Sequence, residues 1–418
     1  MFANSIAFNP AEPKSALAQV PSQGGVFALF ADDERAEPYV SRTPNLRRRL
    51  ARFLDARPTQ SKRLRLTEKI ARIEYSVTGS DFESLLLLYR VSAQVFGATV
   101  RKRMHLRAPY FLRMAMENAY PRLYVTNRIT KAGRDNLFGP FPSRAAAEKF
   151  MDETLNLFLL RRCHEDLHPD PAFPGCIYSE MKMCLAPCFK GCTDERYGEE
   201  AARIHAFLKT RGANLIEKLL AERDGASAAL EFERAAQLHA KLQKVEAVVS
   251  LVSPAVQQLS NMRALILQPS AEPESVALFL LSNGVLTGPA RYPVTGMRLH
   301  HERSRSTSLY LAPVAVEAVP LAAPVQLTSH DGLQERLDHA IALLESENNK
   351  TKLSSETVSD HLCLLKRWYY RPQTQRAGEI FFALEDSQFP KKQILRGISR
   401  VFTATQKEEA GDALRPAF

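Results

Sequence analysis

Five of the six cysteines of this 418-residue chain lie between Cys163 and Cys192, and that crowding limits how the surrounding segment can fold. Four of them follow the spacing Cys163-x12-Cys176-x7-Cys184-x3-Cys188. Met1 to Gly24 has no basic stretch ahead of an apolar core, so it reads as a loose tail rather than a secretory signal. The chain is therefore expected to be cytoplasmic, where clustered thiols serve metals rather than disulfides. Four thiolates gathered by loops and one short helix can hold a tetrahedral zinc ion or an iron–sulfur cluster. The spacing is not a pair of C-x2-C knuckles, which weighs against a zinc ribbon. His164 and His168 lie close by and can either serve zinc or simply be exposed. Four reduced cysteines in a compact subdomain are the plain alternative.

Charge supplies the second constraint. The net charge is +10, and between Arg42 and Arg107 sixteen Lys or Arg residues face five acids, so the excess sits in one stretch. Such a block is the electrostatic footprint expected for a polyphosphate partner, with a solvated basic face as the alternative. No run of 18 apolar residues occurs, so no membrane partner is expected.

The pattern predicts an α+β multidomain chain. After the tail at 1–24, residues 25–137 read as a small domain mixing helices and strands. Gly25 to Phe30 and Glu37 to Ser41 are strands, Leu46 to Leu54 and Lys62 to Ile73 helices, and Tyr75 to Thr78 a strand. Phe82 to Val95 is a long apolar helix opened by Ser80 or Asp81, and Tyr110 to Arg113 and Arg122 to Thr126 are further strands. Residues 138–193 hold the cysteines, with a helix capped by Ser143. Residues 194–252 form a helical hairpin broken near Asp224-Gly225. Residues 253–418 begin with a three-stranded meander over Arg263 to Pro293, turning at Asn283-Gly284. A Val/Ala/Pro linker or edge segment spans 312–324, and two helices follow over Gly332 to Glu345 and Val358 to Tyr370. In Leu365-Lys-Arg-Trp-Tyr-Tyr-Arg371, Trp368 is expected in a core, with Lys366, Arg367 and Arg371 facing solvent or phosphate.

The stretch Leu137-Phe-Gly-Pro-Phe-Pro-Ser143, then Leu155 to Cys163, then Cys184-Leu-Ala-Pro-Cys188, resembles the segment of UvrC-family excinuclease subunits that reads F-G-P-[YF]-P-S, L-R-x-C and C-x-A-P-C. The resemblance implies a 4Fe–4S cluster on Cys163, Cys176, Cys184 and Cys188, with zinc the alternative and Cys192 a bystander. Ala229-Leu-Glu-Phe-Glu-Arg-Ala-Ala236, with Leu238 and Leu242, resembles the UVR motif, the hairpin by which UvrC meets UvrB. It implies that Leu219, Phe232, Ala235, Leu238 and Leu242 bind UvrB or a UvrB-like protein. Arg223 departs from the apolar residue usual in the family. A two-helix hairpin that packs on its own chain is the alternative.

The first domain is similar to the GIY-YIG nuclease of the same family. Gly25-Val26-Phe27 sits at GIY, Tyr39-Val40-Ser41 at YIG, and Asn45 to Leu50 at the family's N-L-R-x-R-L helix. Such a site cuts phosphodiesters with one divalent metal, Mg2+ or Mn2+, a tyrosine-centred base and an arginine. Tyr39 and Arg49 survive here. Phe27 and Phe53 stand where tyrosines are expected, and Leu88 stands where the family has its metal-binding glutamate. Leucine offers no oxygen to a hard cation. Glu83, five residues earlier, matches a glutamate that is not the ligand, and the family's R-P-x-Y-N segment has no counterpart at Arg101 to Ala108. Nor does the meander lead into the F-D-x-S-N stretch of the family's second, RNase H-like nuclease with its helix–hairpin–helix repeats, since Asp360 and Asp386 sit in unrelated contexts. The resemblance, carried by Gly25 to Pro293, implies a non-cleaving DNA-binding adaptor of excision repair that docks on UvrB, with Arg42, Arg47, Arg48, Arg49 and Arg52 on DNA phosphates. The alternatives are a metal-dependent endonuclease making a single incision and a zinc-stapled DNA-binding protein outside repair.

Overall fold

The computed structural model describes residues 2–33, 35–54, 69–297, 330–350, 354–384 and 388–413. Three four-stranded antiparallel sheets organise them.

The first sheet is ordered β1 (Asn4–Ala7), β4 (Ile70–Val77), β2 (Gly25–Ala31), β3 (Tyr39–Thr43). The supposed loose tail is part of it. Ile6 and Phe8 are buried on either side of exposed Ala7, and β1 closes the open edge of β4 with Asn4 opposite Tyr75. Helix α1 (Pro13–Gln19) then packs against α2 (Leu46–Leu54). Leucines 46, 50 and 54, one helical turn apart, put a fully buried stripe of α2 against Phe27 and Leu29 of β2. The helix expected over Lys62 to Ile73 falls mostly outside the described residues, and its last four residues belong to β4.

Helix α3 (Asp81–Phe96) is opened by Ser80, whose hydroxyl accepts from the Glu83 amide at 3.1 Å. Its apolar residues run nearly all round, which suits a helix covered on two sides. It packs on β3 and β2 on one side, while Phe82, Leu85, Leu86 and Tyr89 join the core of the third sheet on the other. A short helix, α4 (Val100–Arg103), follows.

The second sheet is ordered β6 (Leu123–Thr126), β5 (Tyr110–Met114), β7 (Leu137–Phe141), β8 (Gln257–Gln258). Strands β5 and β6 therefore belong with the cysteine segment, and the first unit does not extend to residue 137 as expected. Leu112 and Met114 are drawn there by Phe138, Phe141 and Phe150, the last on α5 (Arg144–Leu157). Helix α6 (Ile177–Glu180) lies among the cysteines. Three helices follow: α7 (Asp194–Lys209), α8 (Ala213–Ala228) and α9 (Phe232–Ser250). The hairpin turn falls at residues 229–231 instead of Asp224-Gly225, with Leu230 in the left-handed region at φ 63°. Gly225 stays helical because the turn can be made elsewhere, and no atom crowds it.

The third sheet is ordered β11 (Val285–Pro293), β10 (Ser275–Ser282), β9 (Arg263–Pro269), β12 (Glu379–Phe382). Asn283 and Gly284, both at positive φ, turn the meander as expected. Helices α10 (His330–Lys350) and α12 (Lys391–Ala413) cover one face, and α11 (Ser355–Tyr369) and α3 the other. Trp368 is in the core as expected, 2% exposed, its indole N–H donating to the Ala377 carbonyl at 3.1 Å. The linker at 312–324 lies outside the described residues.

Candidate nuclease remnant, basic face and cysteine site

Of the residues matching the GIY-YIG pattern, Tyr39, Phe27 and Phe53 come together, as an aromatic cluster. Tyr39 stacks on Phe53 at 5.1 Å between ring centroids and lies 6.2 Å from Phe27. Phe27 is fully buried, paired across the sheet with Ser41 of β3 and Tyr75 of β4. Tyr39 is 43% exposed at the start of β3. Leu88 is half-buried, on the α3 face shared by Ser84 and Ser92, whose side chains are buried. No three His, Cys, Asp or Glu side chains among the described residues form a site for a metal ion. Glu83 does not substitute. It is 4% exposed, its carboxylate pairs with Arg291 of β11 at 2.7 Å, and it accepts from the Gly79 amide at 2.9 Å. A divalent metal bound in the manner of an active nuclease does not fit these residues.

The arginines divide into two groups. Arg48, Arg49 and Arg52 on α2 are exposed and make no ion pair among the described residues. Arg47 is engaged by the fold, donating through Nε to the Val20 carbonyl at 2.7 Å and through Nη2 to that of Ala18 at 3.3 Å. It satisfies carbonyls at the end of α1, so its expected role on DNA phosphate is not supported by its position. Arg42 is half-buried and pairs with Asp81, which also accepts from Arg371 at 2.6 Å. Burial first, then Arg371 and Arg367, hold the Arg42 guanidinium below its ordinary pKa.

The four patterned cysteines come close enough to influence one another electrostatically. Burial pushes the Cys184 thiol up to about 11, against the Ala186 amide that donates to its sulfur at 3.3 Å; Cys163, Cys188 and Cys176 raise it further. Cys188 is raised by burial and by Cys176 and Cys163, against the amides of Phe189 and of Cys188 itself. Arg161 donates to the Cys163 sulfur at 3.7 Å. The loop supports this with left-handed residues at Ala186 and Lys190, and Cys176 caps α6. His164 and His168 are exposed, whereas Cys192 packs against the core beneath the second sheet.

The hairpin buries most of the residues expected to meet a partner. Leu219, Leu238 and Leu242 are at most 8% exposed and pack with Val245, Val248 and α5. Ala235 is partly buried against the same core. Their stripe is satisfied within the chain, because α8 and the core beneath the second sheet supply its complement. The exposed apolar residues lie at the turn and the first residue after it, with Leu230 72% and Phe232 66% exposed.

Sequence reasoning missed the pairs Glu83–Arg291, Asp81–Arg371 and Arg101–Asp360 that tie the first unit to the third. Each partner lies more than 200 positions away, and no local pattern marks it.

Residues 23–94 match the domain family described as the UvrC-like GIY-YIG domain, and residues 109–207 match the middle domain of the UvrC/Cho excinuclease. The second match begins where β5 does, at the boundary between the first two sheets. UvrABC system protein C of Mannheimia succiniciproducens is 27% identical over 283 residues, 67% of this chain and 46% of that protein. The protein of the same name from Aliivibrio salmonicida is 28% identical over 249 residues, 57% of this chain and 39% of its own length. That from Pseudomonas syringae is 31% identical over 230 residues, covering 54% and 37%. The chain spans less than half the length of these curated relatives. No solved structure matches.

Proposed function

We propose that this UvrC-like chain binds DNA in nucleotide excision repair without cutting it. The observation that carries the reading is the remnant itself. Leu88 presents hydrocarbon where the resemblance puts a metal-binding carboxylate, and Glu83 is held in an ion pair with Arg291. What the unit retains is suited to holding a phosphate backbone: three exposed arginines on α2 that make no ion pair among the described residues, and Tyr39 exposed beside Phe53. Arginine contacts of this kind position a protein on DNA without reading its sequence.

The cysteine site is proposed to hold a 4Fe–4S cluster on Cys163, Cys176, Cys184 and Cys188. Four thiols with no carboxylate or imidazole among them are the donor set such clusters use, and N–H donors already point at two of the sulfurs. A UvrB-like partner would meet the hairpin at its projecting turn, through Leu230 and Phe232, and not through the buried leucines.

The test is a nicking assay with Mg2+ and Mn2+ on damaged duplex DNA, alongside binding measurements. DNA binding without nicking is expected. Robust metal-dependent nicking that disappears in Arg49→Ala would overturn the reading in favour of an incising enzyme. Iron by elemental analysis of anaerobically purified protein is expected, and zinc in its place would overturn the cluster assignment.

A further inference from the structure

The first and third units meet along a cleft of about 750 Å³, walled by the start of α3, the end of β3, the loop after β9 and Ala377. At its mouth two guanidiniums from different units converge on one carboxylate. Arg42 of β3 and Arg371, just beyond α11, bond to the two separate oxygens of Asp81, the first residue of α3. Asp81 is half exposed, and each arginine side chain is about a third exposed, so all three meet solvent. Arg367 stands nearby, anchored by the Met104 carbonyl at 3.0 Å and by that of His105.

We infer that this seam is a second phosphate site, in which Asp81 holds the place that a DNA backbone phosphate takes between Arg42 and Arg371. This rests on the DNA-binding reading above and adds to it a contact from the third unit. Three points carry it. Two guanidiniums bond a single carboxylate and a third, Arg367, is close enough to Arg42 to act on it, so the cluster keeps an excess of positive charge in the unloaded state. A carboxylate bridging two arginines has the geometry in which two phosphate oxygens would bridge them, and a guanidinium fork suits either anion. The site also opens at the N-terminus of a 16-residue helix, where the macrodipole favours a negative group.

The same carboxylate makes the seam distinguishable from a purely structural tie. If Asp81 competes with phosphate, neutralising it frees both guanidiniums. Asp81→Asn is then expected to tighten binding of a fluorescein-labelled DNA duplex several-fold. Arg371→Gln is expected to weaken it by about tenfold, the loss of one charge-assisted hydrogen-bonded contact, and to lower the salt dependence by about one counterion. Arg48→Ala/Arg52→Ala serves as the reference on α2. Should the duplex bind, respond to the α2 variant and ignore both seam variants, the seam inference falls alone. If the wild-type protein fails to bind the duplex, the DNA-binding reading falls with it. A lowered melting temperature for Asp81→Asn without tighter binding would mark a structural tie and also overturn the inference. Inorganic phosphate competing as strongly as duplex would overturn the assignment to a DNA strand.

Discussion

At the scale of single residues, the change at position 88 outweighs those at positions 27 and 53. Phenylalanine for tyrosine removes a hydroxyl but keeps the packing, as the stack of Tyr39 on Phe53 shows. Leucine for glutamate removes the only oxygen ligand that the resemblance supplies. Leu88→Glu is therefore the substitution expected to restore Mg2+ binding, measured by calorimetry, and it places a carboxylate on a half-buried face that can stay hydrated. Adding Phe27→Tyr is expected to cost about 1–3 kcal/mol of stability, because the new hydroxyl would enter a fully buried site with no assigned partner. No gain of Mg2+ affinity in Leu88→Glu would show that position 88 is not the lost ligand.

At the scale of elements, the helical hairpin separates packing from exposure within one short motif. Leu242 is 3% exposed in the core beneath the second sheet, and Leu242→Ala is expected to destabilise by about 2–5 kcal/mol. Phe232→Ala, at the exposed first residue of α9, is expected to change stability by no more than about 0.5 kcal/mol while weakening any hairpin partner. Urea unfolding of the two variants checks the contrast, and equal losses would contradict it. The sequence could locate the apolar stripe of this motif but not its covering, because periodicity shows which residues share a face and says nothing about what lies opposite. The meander was legible for the converse reason: Asn283-Gly284 sets its turn locally, and alternation sets its strands. Strand β1 was illegible because four residues of mixed polarity become a strand only when β4 offers an open edge. Of the candidate site, the cysteine spacing and the remnant positions could be read directly. The engagement of Arg47 with the end of α1 could not, since a carbonyl acceptor has no sequence signature.

At the scale of the whole molecule, the first unit is not free-standing. Phe82 lies edge-on to Phe279 at 5.2 Å and beside Trp368 at 5.0 Å. Tyr89 donates to Asp360 at 3.1 Å, and Arg90 donates to the carbonyls of Leu286 and Gly288. The helix that would carry a nuclease metal ligand is thus also a structural part of the third unit, held by a core, by ion pairs of Asp81 and Glu83 at its start and by the hydrogen bonds of Tyr89 and Arg90 farther along. That double attachment has a consequence in time. Amide protons in the middle of α3 can reach solvent only when both neighbours let go, so they are expected to exchange with deuterium more slowly than those of the shorter α2, which packs within the first unit alone, at rates set by the opening of the two units together. Exchange of α3 as fast as that of α2 would contradict the arrangement. Slow exchange would mean that neither unit releases α3 without the other, so the first sheet and the C-terminal unit open as one.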